Sequence, residues 1–208
     1  NHNDIGHFIV YTDGKPLLID VGVEEYRRQT FSAERYDIWT MQSRYHNLPT
    51  VDDQQQQPGR EFAAADVSCE IADDATTLCL DIAGAHGEDA GIKSWRRTIR
   101  LNRGRDVTVR EDFELAAAPG EVYLSFMTVC GTAIGDGLIE LTQRELPRNE
   151  VSGSGRISFD SGVLRAEVEE IACTDARLTA IWGESVSRLR LFLKEPIVSG
   201  LIETRIEG

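Results

Sequence analysis

The side chains best suited to chemistry crowd the first fifty positions. His2, His7 and His46 are three of the four histidines, and Asp4 and Asp20 flank a hairpin pattern, "FIVYTDGKPLLID". Two imidazoles and a carboxylate on separate strands suit Zn²⁺, with water in the fourth position. The spacing 2, 20 and 46 matches no local metal motif. A second chemistry therefore stays open, in which Asp20 binds nearby backbone and the histidines pair with buried polar groups. His86 stands apart in "GAHGEDAG", a glycine-rich acidic turn, and reads as a surface-loop histidine.

The hairpin decides which histidine meets Asp20. A two-residue turn at Asp13-Gly14 pairs Tyr11 with Pro16 and His7 with Asp20. A three-residue turn, with Gly14 left-handed, pairs Tyr11 with Lys15 and puts Asp20 on the face of His2 and Asp4. The residues alone allow both.

Other chemistries leave less trace. There is no GxSxG, P-loop or Rossmann fingerprint. No CxxC occurs among Cys69, Cys79, Cys130 and Cys173, which excludes a zinc knuckle. Cys69 and Cys79 lie on successive strand-like runs and could face each other, but free thiols are the expectation. No carboxylate pair stands out for glycoside hydrolysis among 35 acids. Arg27, Arg28, Arg96 and Arg97 have the chemistry to hold sugar carboxylates or sulfates. Their alternation with apolar residues fits the solvent face of a strand equally well.

The elements that must position these groups are strands. "WRRTIRL" and "DVTVREDFEL" alternate with period 2 around the turn "NRGR", an antiparallel hairpin. "EVYLSFMT", "GLIELT", "GVLRAEVE", "RLTAIW", "SRLRLFL" and "GLIETRI" continue the pattern. Turn residues between such runs predict an all-β fold, a large antiparallel two-sheet sandwich with few short helices. "SAERYDIWTMQ" is the best helix candidate, capped by Ser32, within a long connection that Trp39, Met41 and Tyr45 anchor. "DDQQQQPGRE" reads as a polar loop. No repeat or linker divides the chain, so residues 1–208 read as one domain.

Bulk composition narrows the partners. The net charge of −13 argues against nucleic acid or an anionic membrane as a partner of the whole surface. No run of eighteen apolar residues occurs. The chain starts without Met and in the middle of its densest cluster, which leads us to expect a domain cut from a longer protein.

Three stretches, "HNDIGHFIVYTDGKPLLIDVG", "YDIWTMQSRYHNLPTV" and "GIKSWRRTIRLNRG", resemble the C-terminal β-domain of heparinase II/III-like proteins. The likeness covers most of the chain in order and is sharpest over 1–62 and 89–128. It implies a polysaccharide lyase with an N-terminal α/α toroid, absent from this chain, packed against a β-sandwich of the supersandwich type. The substrate it implies is an acidic glycan containing uronic acid, cleaved by β-elimination in the cleft between the two domains. The toroid would supply a Tyr and an Asn or His, and the sandwich one His. That His falls one place before Asn1, so no catalytic residue is expected within this chain, and the isolated chain is expected to be inactive. The resemblance further implies a structural zinc site of His2, Asp20 and His46, and this favours the three-residue hairpin register. It leaves His7 a structural residue on the other face. A straight strand would carry His2 about 13 Å past the position opposite Asp20, at ~3.3 Å per residue, so the chain must bend before Gly6. A different class of reading is a non-catalytic carbohydrate-binding or interaction sandwich.

Overall fold

A computed structural model describes residues 2–208. In chain order the strands are β1 (Val10–Thr12), β2 (Lys15–Leu18), β3 (Pro49–Val51), β4 (Ala65–Ile71), β5 (Ala75–Asp81) and β6 (Ile92–Asn102). Next come β7 (Asp106–Leu115), β8 (Val122–Thr128), β9 (Gly131–Gly135), β10 (Leu138–Thr142) and β11 (Glu145–Leu146). The last are β12 (Glu150–Val151), β13 (Gly155–Phe159), β14 (Leu164–Ala172), β15 (Ser185–Leu193) and β16 (Ser199–Glu207). Among the described residues the helices are one α-helix, α1 (Ala176–Trp182), and seven short 3-10 turns.

Two sheets carry the fold. One has eight strands in the order β4-β5-β6-β7-β16-β13-β10-β9, and the other has four in the order β14-β15-β8-β3. Every pairing is antiparallel. The predicted two-sheet sandwich is the observed fold. Its core lies between the sheets, where Trp95, Val109 and Phe113 of the large sheet meet Leu124, Phe126, Leu189 and Leu191 of the small one. Trp95 stacks on Phe113 with ring centroids 4.8 Å apart, a contact worth roughly 0.5–1.5 kcal/mol beyond area burial.

β8 is buried on both faces, because β2 and the 3-10 turn Ser43–Tyr45 pack against it. That covering segment contributes His46. Ser32 caps its second turn by accepting the Glu34 N–H, as its sequence predicts. Met41 is buried and Trp39 meets Tyr45 edge to face.

Five local expectations change. "RLTAIW" is helical: Asp175 accepts the Arg177 and Leu178 N–H groups as an N-cap, and Leu178 is buried. A six-residue apolar alternation cannot outweigh that cap. The opening hairpin takes the two-residue turn, with Thr12 opposite Lys15 and Tyr11 opposite Pro16, and not the three-residue register. A bulge at Leu17 then shifts the ladder so that Val10 faces Leu18. "DDQQQQPGRE" is no plain loop, since Gln56 is buried and bridges to His86. His86 is itself buried, with Nδ1 3.4 Å from the Ile82 carbonyl. Arg97 lies on the core side of β6, away from solvent. Cys69 stands opposite Leu78, and Cys79 opposite Ser68, so the two thiols project from opposite faces of the sheet. All four cysteines are free.

Candidate metal centre

A tight turn sets the first two groups. The Asp4 carbonyl accepts the His7 N–H at 2.9 Å, with Gly6 at φ +87° in the third position, as a type II turn requires. This is the bend that the strand arithmetic demanded. Gln56 fixes it: its Oε1 accepts the Ile5 N–H at 2.8 Å and its Nε2 donates to the Ile5 carbonyl at 2.9 Å. Asn3 Nδ2 donates to the Gln56 carbonyl at 2.8 Å. The alternate residues His2 and Asp4 are thereby turned together.

The same glutamine run orders the third group. Gln55 Oε1 accepts from Ser43 Oγ at 2.8 Å and from the Arg44 N–H at 3.1 Å, and the Gln56 N–H donates to Ser43 Oγ. His46 leaves that turn into β3. Beside it, Asn47 accepts the Met127 N–H through Oδ1 at 2.6 Å and donates from Nδ2 to the Phe8 and Ile19 carbonyls. Ile19 precedes Asp20, so one buried amide ties the segments carrying Asp20 and His46 to β8. Asp20 Oδ1 accepts the Gly22 N–H at 2.6 Å, which leaves Oδ2 facing the histidines.

The outcome is a four-residue cluster. His2, Asp4, Asp20 and His46 each offer one ligand atom, and these atoms lie within 4.8 Å of one another. Asp20 Oδ2 is 3.6 Å from His46 Nδ1, close to the edge of about 3.3–3.4 Å in a tetrahedron of Zn–N and Zn–O bonds. His46 is 1% exposed and neither ring nitrogen has a hydrogen-bond partner among the described residues. A buried imidazole in that state costs stability unless a cation takes a lone pair. Two nitrogens and two carboxylates suit Zn²⁺ better than Ca²⁺ or Mg²⁺, which prefer all-oxygen shells. The residues present fit the implied ion.

Electrostatics prepares the histidines. Burial pushes His46 down to about 4, with His7 beside it adding to the effect. Burial lowers His7 to about 4 as well, against the pull of Asp20, and lowers His2. Neutral imidazoles are the form that metals bind.

His7 corrects an expectation. It is not on another face: its Nε2 lies 3.4 Å from Asp20 Oδ2 and its ring 5.0 Å from that of His46. Its Nδ1 accepts the Asn47 N–H at 2.9 Å, so the neutral ring carries its proton on Nε2. That proton bars Nε2 from a metal, and Nε2 makes no hydrogen bond among the described residues, lying 3.4 Å from Asp20 Oδ2.

Sequence reading placed Asp4 on the face of His2 without giving it a role, and missed Asn47, Gln55, Gln56 and the Arg97–Glu111 pair. Asn47 follows His46 directly, the one local cue. Gln55 and Gln56 resemble any polar loop until their burial is known. Arg97 and Glu111 each interrupt the inward apolar face of a strand, and the "NRGR" turn sets them opposite each other.

Residues 1–167 match the family described as heparinase II/III-like, C-terminal. The chain belongs to that family. Among curated proteins none matches it. Solved structures share the fold at low identity. The heparan sulfate lyase HepC of Pedobacter heparinus superposes with a TM-score of 0.74 at 14% identity, over 99% of this chain and 30% of that one. The heparinase III BT4657 gene product gives 0.70 at 15% identity, again over 99% and 30%. A further heparinase III gives 0.69 at 14%, over 100% and 30%. This chain thus spans about a third of the length of the lyases it resembles.

Proposed function

We propose that this chain is the C-terminal sandwich of a polysaccharide lyase that cleaves a uronic-acid-containing glycan by β-elimination. Family membership supports the reaction class. In that reaction the uronate carboxylate is neutralised, a base takes the C5 proton, and an acid protonates the oxygen leaving C4. No residue of this chain is assigned the base or the acid. Its task is architectural: to hold one wall of a cleft whose other wall is an α/α toroid. The observation that carries this role is the convergence of His2, Asp20 and His46 from three separate segments. Zn²⁺ held there would supply a fixed cross-link between those segments. His7 and Asn47 orient the donors, and Arg97 secures the turn from beneath.

The test offers heparan sulfate, hyaluronan and alginate to the full-length protein and to this chain alone, and follows unsaturated uronate ends by ultraviolet absorbance. Turnover is expected only from the full-length protein. Turnover by this chain alone would overturn the two-walled account, since positioning across the cleft supplies much of such a rate.

A second reading has one observation in its favour. Tyr26 and Phe31 are 63% and 76% exposed, with rings 5.7 Å apart, a surface on which sugar rings could stack. Full-length protein without lyase activity on any uronate glycan, together with glycan binding abolished by Tyr26→Ala, would make this a carbohydrate-binding sandwich.

A further inference from the structure

We infer that Asp4 is a fourth protein ligand, so that the centre is closed and holds its cation without an open position for water or substrate. The inference rests on the proposed cation site and goes beyond the His2, Asp20 and His46 set.

Three observations carry it. First, Asp4 shares the cluster on equal terms: its ligand atom lies within the same 4.8 Å as the other three. Second, the backbone around Asp4 is held from both sides. Asn3 is buried, its N–H donating to the Met41 carbonyl at 3.1 Å, and Ile5 is gripped at both its N–H and its carbonyl by Gln56. The Asp4 carboxylate is therefore presented to the cluster by a fixed turn and not by a loose terminus. Third, the charges balance. Two aspartates cancel a divalent cation while His2 and His46 stay neutral, and a half-buried site with net charge near zero avoids most of the desolvation cost. With Asp20 as the sole carboxylate, the half-buried cluster would keep a net positive charge.

His7 does not compete for the fourth position. The Asn47 N–H occupies its Nδ1, and its Nε2 carries the proton. Four-coordinate sites with only protein donors are structural, whereas catalytic zinc keeps one position open. A closed centre thus separates the cation from the elimination chemistry even where the two are neighbours.

Cobalt substitution reads the coordination directly. The full-length protein is stripped with chelator and loaded with Co²⁺, and its visible spectrum is recorded with and without azide. Zinc affinity is measured by competition with a chromophoric chelator, alongside the Asp4→Ala and Asp4→Asn variants. The expected wild-type spectrum is the intense four-coordinate form, indifferent to azide. Asp4→Ala should become azide-responsive and lose more than the about 10–100-fold in affinity that removal of an outer partner costs. Asp4→Asn, of the same shape, guards against misfolding, and unchanged melting of the metal-free variants shows that the loss is local. A wild-type cobalt spectrum that shifts with azide, with zinc affinity unchanged in both variants, would overturn the closed site and leave the His2, Asp20 and His46 site standing. Failure of wild-type protein to take up one equivalent of zinc would overturn both.

Discussion

Arg97 stands directly across the β6–β7 ladder from Glu111, and the two form an ion pair with no solvent exposure. Arg97 Nη2 and Nε both donate to Glu111 Oε1, at 2.6 and 2.8 Å, and Trp95 Nε1 donates to Oε2 at 2.7 Å. The remaining nitrogen, Nη1, donates to the carbonyls of Gly6 and Asn47, at 2.7 and 2.6 Å. One guanidinium thus joins the sandwich core to the turn behind Asp4 and to the residue after His46.

Removing one partner of this pair should be severe. Glu111→Gln or Arg97→Met alone leaves a buried charge or its donors unmatched, at about 3–5 kcal/mol. The double variant Arg97→Met/Glu111→Leu should recover much of that stability in urea denaturation but still bind zinc more weakly, because Gly6 and Asn47 lose their shared donor. A single-variant cost within the ~0–1 kcal/mol of a surface pair would contradict this account.

Gly6 and Gly14 offer a matched comparison. Both have positive φ, +87° and +77°. A Cβ on Gly6 would lie 2.9 Å from Ile82 Cγ2, whereas Gly14 has nothing within 4 Å. Gly14→Ala should cost about 1–2 kcal/mol, the left-handed penalty alone. Gly6→Ala should cost more and should also weaken zinc binding, since the displaced turn carries Asp4. Equal effects of the two substitutions on denaturation midpoint and zinc affinity would contradict the role given to this turn.

Metal-free protein should lose stability in mild acid. His7 and His46 have folded values near 4, below the ordinary 6.5. The unfolded chain therefore binds more protons between those limits, so stability rises with pH across the window and falls as pH drops from about 6.5 toward about 4. Each depressed histidine adds up to about 1.4 kcal/mol per pH unit there. Denaturation midpoints flat across that window in chelator-treated protein would show that these imidazoles are not buried neutral.

The sandwich was legible because period-2 alternation and turn residues recur along most of the chain, and β6 and β7 pair as "NRGR" dictates. The helix at Ala176–Trp182 was not, because its apolar residues are few and its signal lies in the cap, Asp175. Residue chemistry raised His2, Asp20 and His46 as metal candidates, and only the family likeness singled them out, since positions 2, 20 and 46 have no local spacing to betray a site. Asp4 required the type II turn at Gly6. His7 and His86 were misjudged for one reason: burial of a polar residue depends on what distant segments cover it, here Asn47 for the first and Gln56 for the second. Arg97 looked like a solvent charge because its partner lay on the next strand.

His2 and His46 are 44 positions apart (46 − 2), and the proposed shared cation would make that span a covalent-like ring. Closing a loop of that length removes unfolded-state entropy worth about 4 kcal/mol in the chain-entropy picture of disulfides. The cysteines form no such link. The domain's one long-range tether would thus be a coordination bond, indifferent to the redox state of its surroundings and released by chelation or acid.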